Sequence, residues 1–192
     1  MKLVVPIVVI LSVSLLLIGS SAAKSATLST PAPQMEKLID TLAGEWTTVE
    51  KYEASDTMPK GGTGHSRDSY RAGPARLSLI EEYHGDGAAG KAWGTGVIWW
   101  DSAVQGFHFV WCDTYALDRG CRVSSEVGRW DGEDFVQTDM REVSGKRVFQ
   151  KEVWSDLTSN SFTQTLYVGE TPGQLKLFIT IKAKRVAKQP RQ

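Results

Sequence analysis

The chain has 192 residues, with 22 basic and 22 acidic side chains and a formal net charge of zero. This balance gives no support to nucleic acid or an anionic membrane surface as a partner, because both require an excess of Lys and Arg. The one local basic excess, at residues 182–191, is explained by a solvated terminal segment. The length is that of one domain with a sizeable core.

The first residues have the order of a secretory signal peptide. Lys2 precedes an apolar run at residues 3–18, and the small residues Ser21-Ala22-Ala23 follow it. The run contains Pro6 and is shorter than the roughly 20 residues that span a bilayer, which weakens the alternative of a retained anchor. No cysteine follows it, which excludes a bacterial lipoprotein anchor. We therefore predict a signal peptide at residues 1–23 and a periplasmic or secreted protein that is not inserted in the membrane.

A short amphipathic helix is predicted before the first strand. Residues 24–34 are rich in Ser, Thr, Ala and Pro without apolar periodicity, which is typical of a flexible leader. Apolar side chains then recur at helical spacing over residues 35–42, and Gly44 ends the pattern. Because a single apolar stripe is not stable alone, we expect this helix to cover one end of a barrel.

From Glu45 onward, apolar and polar residues alternate with a period of two, and turn residues recur at short intervals. Asp131-Gly132 is the strongest turn signal. The pattern predicts an all-β fold, a single antiparallel up-and-down barrel of about ten strands within a domain at residues 35–185, followed by a disordered basic tail at 186–192. An immunoglobulin-like sandwich is the alternative, but it requires cysteines far apart in the sequence, and closure removes the exposed edges of a sheet. The predicted strands are 45–54, 61–71, 76–84, 90–101, 105–113, 121–130, 134–142, 146–156, 161–168 and 174–184.

The two cysteines, Cys112 and Cys121, lie in adjacent predicted strands. If the strand register places them opposite each other, a disulfide can bridge them, and the compartment of an exported protein is oxidising. A metal site is the rival interpretation, but no His or Cys stands at ligand spacing. We predict a disulfide and no metal site.

Short motifs built of Gly, Trp and Asp recur in a fixed order along the chain. They are Leu42-Ala43-Gly44-Glu45-Trp46, Arg76-Leu77, Gly96 ahead of Trp100-Asp101, Trp111 with Asp113, and Asp131-Gly132. In this order the chain resembles the bacterial domain-of-unknown-function family 1579, which belongs with the lipocalin-like (calycin) barrels. The resemblance covers residues 35–185 and implies a small antiparallel barrel. It implies no activity, although calycins mostly bind small apolar ligands, and the cysteine pair is not part of the family pattern.

An aromatic face is predicted on the strands that contain the cysteines. With Cys112 opposite Cys121, the register also places Trp111 opposite Arg122, Phe109 opposite Ser124, and Trp100 opposite Phe107. Glycines at 94 and 96 leave room beside this face, which we expect to point inward. It then forms a binding site for a small apolar or amphipathic ligand, in which Arg122 orients a carboxylate end. A barrel filled by its own side chains, serving as a structural or interaction module, remains the alternative. The predicted ligand-binding residues are Trp100, Phe107, Phe109, Trp111 and Arg122.

No catalytic or cofactor motif stands out, so no catalysis is expected, although the question of an enzyme stays open. Glu81 and Glu82 are neighbours in a strand and point to opposite faces. Ser66, His65 and Asp68 do not form a catalytic triad merely by being close in sequence. We expect Arg76, Glu81 and Arg122 to be the polar residues that face the lumen.

Related barrels bind haem through one histidine, which makes the three histidines nominal axial ligands. Histidines that are solvated or hydrogen-bonded explain all three positions without a cofactor. A haem-binding barrel or a hydrolase is therefore the weakest functional hypothesis, and no cofactor is predicted. The three residues are His65, His84 and His108.

Overall fold

The computed structural model describes residues 29–56, 58–88, 90–114, 120–143 and 145–187. The predicted signal peptide, the leader up to residue 28 and the tail from residue 188 lie outside the described residues. Residues 29–32 have no regular structure, and the helix α1, Pro33–Leu42, begins two residues before its predicted start. In the described part of the chain, no helix is both long and apolar enough to cross a membrane.

Among the described residues, eleven strands form one antiparallel sheet. Consecutive strands pair with each other except β6 and β7, which are its two edges, and β1 also pairs with β11. Their order confirms the predicted all-β, up-and-down architecture. Outside the segment at 121–131, the observed strand bounds differ from the predicted ones by no more than three residues. The strands are β1 Gly44–Tyr52, β2 Gly62–Ala72, β3 Ser78–Gly87, β4 Ala92–Asp101, β5 Gly106–Asp113, β6 Cys121–Val123, β7 Arg129–Asp131, β8 Asp134–Val143, β9 Lys146–Ser155, β10 Ser161–Gly169 and β11 Lys176–Arg185.

The sheet curls because one segment connects its two edges. The strand predicted at 121–130 forms two short strands instead, and β6 pairs with β5 whereas β7 pairs with β8. Between them, Phe107 and Gly128 exchange two backbone hydrogen bonds of 2.9 and 2.8 Å. The edges of the sheet therefore meet around a common interior, and the split strand explains why eleven strands form rather than ten.

The half of the interior next to α1 is filled with apolar side chains. Phe135 lies at its centre, with ring centroids 5.1 Å from Phe107 and 5.3 Å from Trp154, while Trp46 lies 4.7 Å from Phe162. Each of these residues occupies an inward position of a strand whose alternate residues face outward. The buried cluster is Met35, Leu38, Ile39, Leu42, Trp46, Tyr70, Leu79, Ile98, Phe107, Phe109, Phe135, Trp154, Phe162 and Ala183.

The helix α1 covers this end of the barrel, as its apolar stripe predicts. Met35, Leu38, Ile39 and Leu42 are buried, and α1 contacts β2, β3 and β4. The indole Nε1 of Trp46 donates a 2.8 Å hydrogen bond to the carbonyl of Leu42. This bond satisfies one of the carbonyls that a helix leaves without an intrahelical partner at its C-terminus.

Arg76 does not face the lumen, so that prediction is wrong. Pro74–Arg76 forms a 3-10 turn in which Ala75 and Arg76 have positive φ angles of 51° and 58°, and β3 begins only at Ser78. The turn directs the Arg76 guanidinium to the outer surface of α1. There it donates hydrogen bonds of 2.6 Å to Glu36 and 2.6 Å to Asp40.

Candidate ligand site in the barrel interior

The structure confirms the register and the inward direction of the aromatic face. Trp111 lies opposite Arg122, Trp100 opposite Phe107, and Cys112 and Cys121 form a disulfide. Phe107 is fully buried, whereas Trp93, on the other face of the same hairpin, is 49% exposed. The inward direction follows from the glycines of β4. The place of a side chain at Gly94 is occupied by the Trp111 ring, and a Cβ at Gly96 would lie 2.9 Å from Phe109.

The predicted site residues occupy three different places. Phe107 belongs to the filled core, and Trp100 packs on it at 5.0 Å while lining an external depression of about 580 Å³ beside the start of α1. Phe109 belongs to the same buried cluster but lies farther from α1, where it stacks on Trp111 with ring centroids 6.0 Å apart and ring planes 26° from parallel. Arg122 is on the neighbouring strand. The structure thus brings together Phe109, Trp111 and Arg122, and ligand binding by any of the five remains a prediction.

Arg122 and Trp111 share one carboxylate. The indole Nε1 of Trp111 donates to Asp113 Oδ2 at 2.7 Å, and Arg122 Nη1 approaches the same oxygen at 3.4 Å. Asp113 is the last residue of β5, on the inward face with Trp111. A ligand carboxylate at Arg122 would have to compete with this existing acceptor.

Beyond the apolar core, the interior is lined by acids and their hydroxyl partners. Glu50, Asp68 and Glu81 are 2%, 4% and 8% exposed. Their hydrogen bonds come from the adjacent inward positions of β1, β2 and β3. Tyr52 and Tyr83 donate to Glu50 at 2.6 and 3.0 Å, Ser66 donates to Asp68 at 2.9 Å, and Tyr70 donates to Glu81 at 2.9 Å.

Two of these acids, Asp68 and Glu81, have pKa values well above the ordinary ones. Burial raises the pKa of Asp68 to about 7, against the lowering effect of the Ser66 hydrogen bond, and the negative charge of Glu50 raises it further. Burial, and then the charge of Asp68, raise the pKa of Glu81 to about 8. Buried carboxyls without neutralising cations disfavour folding. Such a cluster, at a strongly shifted pKa, is more typical of a functional site than of a stabilising core.

A small cavity lies between β5, β6, β8 and β9. Its volume of about 10 Å³ is roughly that needed by one water molecule. Glu152, which lines it, has a raised pKa because of burial, and the positive charge of Arg122 opposes that shift. The lining residues are Phe109, Arg122, Ser124, Gln137, Thr138, Asp139, Gln150 and Glu152.

Sequence reasoning did not find the part of this cavity contributed by β8 and β9. Gln137, Asp139 and Glu152 occupy inward positions, but both faces of these strands carry polar residues, so alternation gives no signal. Of the three polar residues predicted to face the lumen, Glu81 and Arg122 do so. The opposite directions of Glu81 and Glu82 are also confirmed, since Glu82 is exposed.

The histidines lie outside this interior. His65 and His84 are exposed, and His108 stacks on Trp99 at 5.4 Å, with Nε2 3.3 Å from Asp101 Oδ2. Ser66 and Asp68 are hydrogen-bonded inside the barrel while His65 points outward, so these three residues do not form a triad. Among the described residues, no three or more His, Cys, Asp or Glu side chains are grouped to hold a metal ion.

Comparison with known proteins shows the fold alone. The chain is similar to the crystal structure of Rv2717c from M. tuberculosis, with a TM-score of 0.55, 11% identity, and coverage of 82% of this chain and 99% of that chain. It is also similar to the S-type phycobiliprotein lyase CPES from Guillardia theta, with a TM-score of 0.49, 10% identity, and coverage of 82% and 94%. This second similarity is too distant to carry an argument. No protein-family model and no curated protein matches the sequence. The fold is an antiparallel, up-and-down β-sheet curled into a barrel.

Proposed function

We propose that this protein binds a small amphipathic molecule in the half of the barrel interior that lies away from α1. The observation that carries the proposal is the contrast between the two halves of the interior. One half is filled by apolar side chains, whereas the other carries buried acids, tyrosines and a small cavity. Because buried acids disfavour folding, their retention is best explained by a role in binding.

The apolar part of such a ligand has a surface to contact in this half. Phe109 lines the cavity and stacks on Trp111, which is only partly buried. The cavity itself admits a single small group, so the rest of the ligand requires the Trp111 ring to move. Aromatic side chains beside a few polar groups are the usual lining of small-molecule sites.

The proposal is tested by titrating the purified protein with aromatic and alkyl amines, alcohols and carboxylic acids of matched shape. We expect at least one to bind saturably in calorimetry and to shift tryptophan emission. Trp111→Ala should weaken that binding tenfold or more, whereas Trp93→Ala, which removes an outward indole from the same hairpin, should leave it unchanged. Melting curves of both variants show whether each is folded. If no member binds below about 100 µM, roughly 5.5 kcal/mol, the interior is filled and the proposal is wrong.

A structural or interaction module is the second candidate function. It is favoured by the small volume of the cavity, about 10 Å³, and by exposed apolar side chains on the outer faces of β4 and β6. Trp93 is 49% exposed and Val123 is 63% exposed. For this candidate, Trp93→Ala would weaken association with a protein partner, and no small molecule of the panel would bind.

We also propose that the protein is exported and belongs to the domain-of-unknown-function family 1579. The disulfide supports export, since such bonds persist mainly in oxidising compartments. The order of the Gly, Trp and Asp motifs supports the family. Mass spectrometry of protein from its native source would test export through the mature N-terminus, expected at Lys24.

A further inference from the structure

We infer that the cavity beside Gln137 binds a primary ammonium group, so that the ligand of the barrel is an amine rather than an acid. This inference rests on the proposed function and assigns the chemical class of the ligand. It is carried by the polar groups around the cavity and by the size of the space between them.

The first observation is an unsatisfied acceptor. Gln137 is 4% exposed and lines the cavity, and its Oε1 has no hydrogen-bond partner among the described residues. A buried acceptor without a donor destabilises the folded protein, because it has lost its hydrogen bonds to water without replacement. A ligand that brings a donor to this oxygen removes that destabilisation.

The second observation is the charge around the same space. Asp139 and Glu152 contribute carboxyl groups from β8 and β9, and Arg122 contributes the single guanidinium among the lining residues. Arg122 also faces Asp113. Glu152 receives its hydrogen bonds from the neutral side-chain amides of Gln150 and Gln164, the latter at 3.0 Å. With one cation to two acids, the cavity favours a positive group over a negative one.

The third observation is the match between an ammonium group and this space. A primary ammonium offers three donors and no acceptor. The acceptor-bearing side chains that line the cavity include Gln137, Asp139 and Glu152, and its volume of about 10 Å³ suits one group the size of water. A carboxylate, which only accepts hydrogen bonds, would place a third acidic group beside Asp139 and Glu152 and leave Gln137 Oε1 unpaired.

The site also accounts for the raised pKa of Glu152. Its carboxyl lacks sufficient compensation in the protein alone, because burial exceeds the effect of Arg122. An ammonium group would supply the missing positive charge and hold Glu152 ionised. Phe109 lines the same cavity and extends from it toward Trp111, so an aromatic or alkyl chain attached to the amine continues along these rings.

The experiment compares three probes of the same shape, 2-phenylethylamine, 2-phenylethanol and phenylacetate, by calorimetry on the folded protein near neutral pH. We expect the amine to bind at least tenfold more tightly than the alcohol, and phenylacetate to bind most weakly. Equal affinities for amine and alcohol would mean that the barrel binds ligands but that water fills the cavity, which overturns this inference and leaves the proposed function intact. Tighter binding of phenylacetate would overturn it in the same way. Failure of all three probes would overturn it along with the proposed function for this ligand class.

Two variants locate the amine. Glu152→Gln keeps the shape of the side chain and removes its charge, and Gln137→Met removes the free acceptor. Each should lower the affinity for 2-phenylethylamine tenfold or more while changing that for 2-phenylethanol less than threefold. Glu82→Gln is the matched control, because Glu82 lies on the outer face beside the inward Glu81, and it should change neither. If both interior variants fold, as shown by circular dichroism, and still prefer the amine, the ammonium does not lie at this cavity.

Discussion

Glu81 is the buried acid whose protonation is expected to have the clearest effect on stability, because its pKa is raised to about 8. It is buried and accepts a hydrogen bond from Tyr70. Burial is the main cause of the raised pKa of Glu81, and the negative charge of nearby Asp68 is the second. Both acids bind protons more tightly in the folded protein than in the unfolded chain. The folded pKa values are about 7 for Asp68 and about 8 for Glu81, against ordinary values of 3.8 and 4.5. Their stabilising contribution is therefore complete below about pH 4 and is lost as the pH rises through 7 and 8.

We predict that the free energy of unfolding decreases as the pH is raised from about 5 to about 9. Each carboxyl that is protonated only in the folded state contributes on the order of 1.4 kcal/mol per pH unit. Glu81→Gln, which cannot ionise, should reduce this slope and be more stable than the wild type at about pH 9. Denaturant titrations across the range measure both effects, with Glu82→Gln as the control. Parallel slopes for the wild type and Glu81→Gln would show that Glu81 is ionised in the fold.

The helix α1 is the element that closes the filled end of the barrel. Its apolar side is buried against the sheet. On its outer side, Arg76 donates hydrogen bonds to Glu36 and Asp40 of the helix. The ammonium of Lys37 lies 3.8 Å from the ring centroid of Trp130. Arg185 donates to the carbonyls of Thr41 and Ala43 at the C-terminal end. The helix is thus an integral part of the core.

Replacement of Leu38 by Ala should lower the free energy of unfolding by about 2–5 kcal/mol. Leu38 has no exposed surface, and removal of a fully buried leucine side chain loses its transfer energy and leaves a cavity. Leu177→Ala is the matched control, since Leu177 is 37% exposed on β11, and should cost clearly less. Chemical denaturation measures the difference, and an unchanged midpoint for Leu38→Ala would mean that α1 does not contribute to the cooperative core.

Closure of the barrel depends on the segment at 121–131, where the two edges of the sheet meet. The strands of this segment contain only three residues each, so backbone pairing alone holds it weakly. The Cys112–Cys121 disulfide ties β6 to β5 at one end, and the pair of hydrogen bonds between Phe107 and Gly128 joins the other end. The closure also places Arg122 of β6 across from Glu152 of β9.

Removal of the disulfide by a Cys112→Ser, Cys121→Ser double replacement should reduce stability by roughly 2.5–3 kcal/mol in the chain-entropy model. A reducing agent should lower the free energy of unfolding of the wild type by a similar amount and leave that of the double variant unchanged. A peptide map of exported protein without reduction should contain the linked pair. Two free thiols in such material, or equal midpoints with and without reductant, would contradict the prediction.

The sequence by itself determined the helix, most of the strands, and which residues of β4, β5 and β6 share a face. Alternation of apolar and polar residues depends only on the geometry of a strand, and turn residues impose local φ angles, so strands, helix and the Trp111–Arg122 register all follow from short stretches. The split of the strand at 121–130 and the position of Arg76 did not follow, because barrel closure and the positive φ angles at Ala75 and Arg76 override the local pattern.

Only the tertiary structure decided what the barrel encloses. Gln137 and Glu152 lie 15 positions apart in the sequence, on strands whose two faces are both polar, and Arg122 joins them from a third strand. Local alternation states which residues share a face of one strand, but the distance across an interior depends on the pairing of every strand between them. The same dependence decided that Phe107 and Phe109 join one buried apolar cluster, that Phe109 also lines the cavity, and that Trp111 stays partly exposed, although all three alternate along one strand.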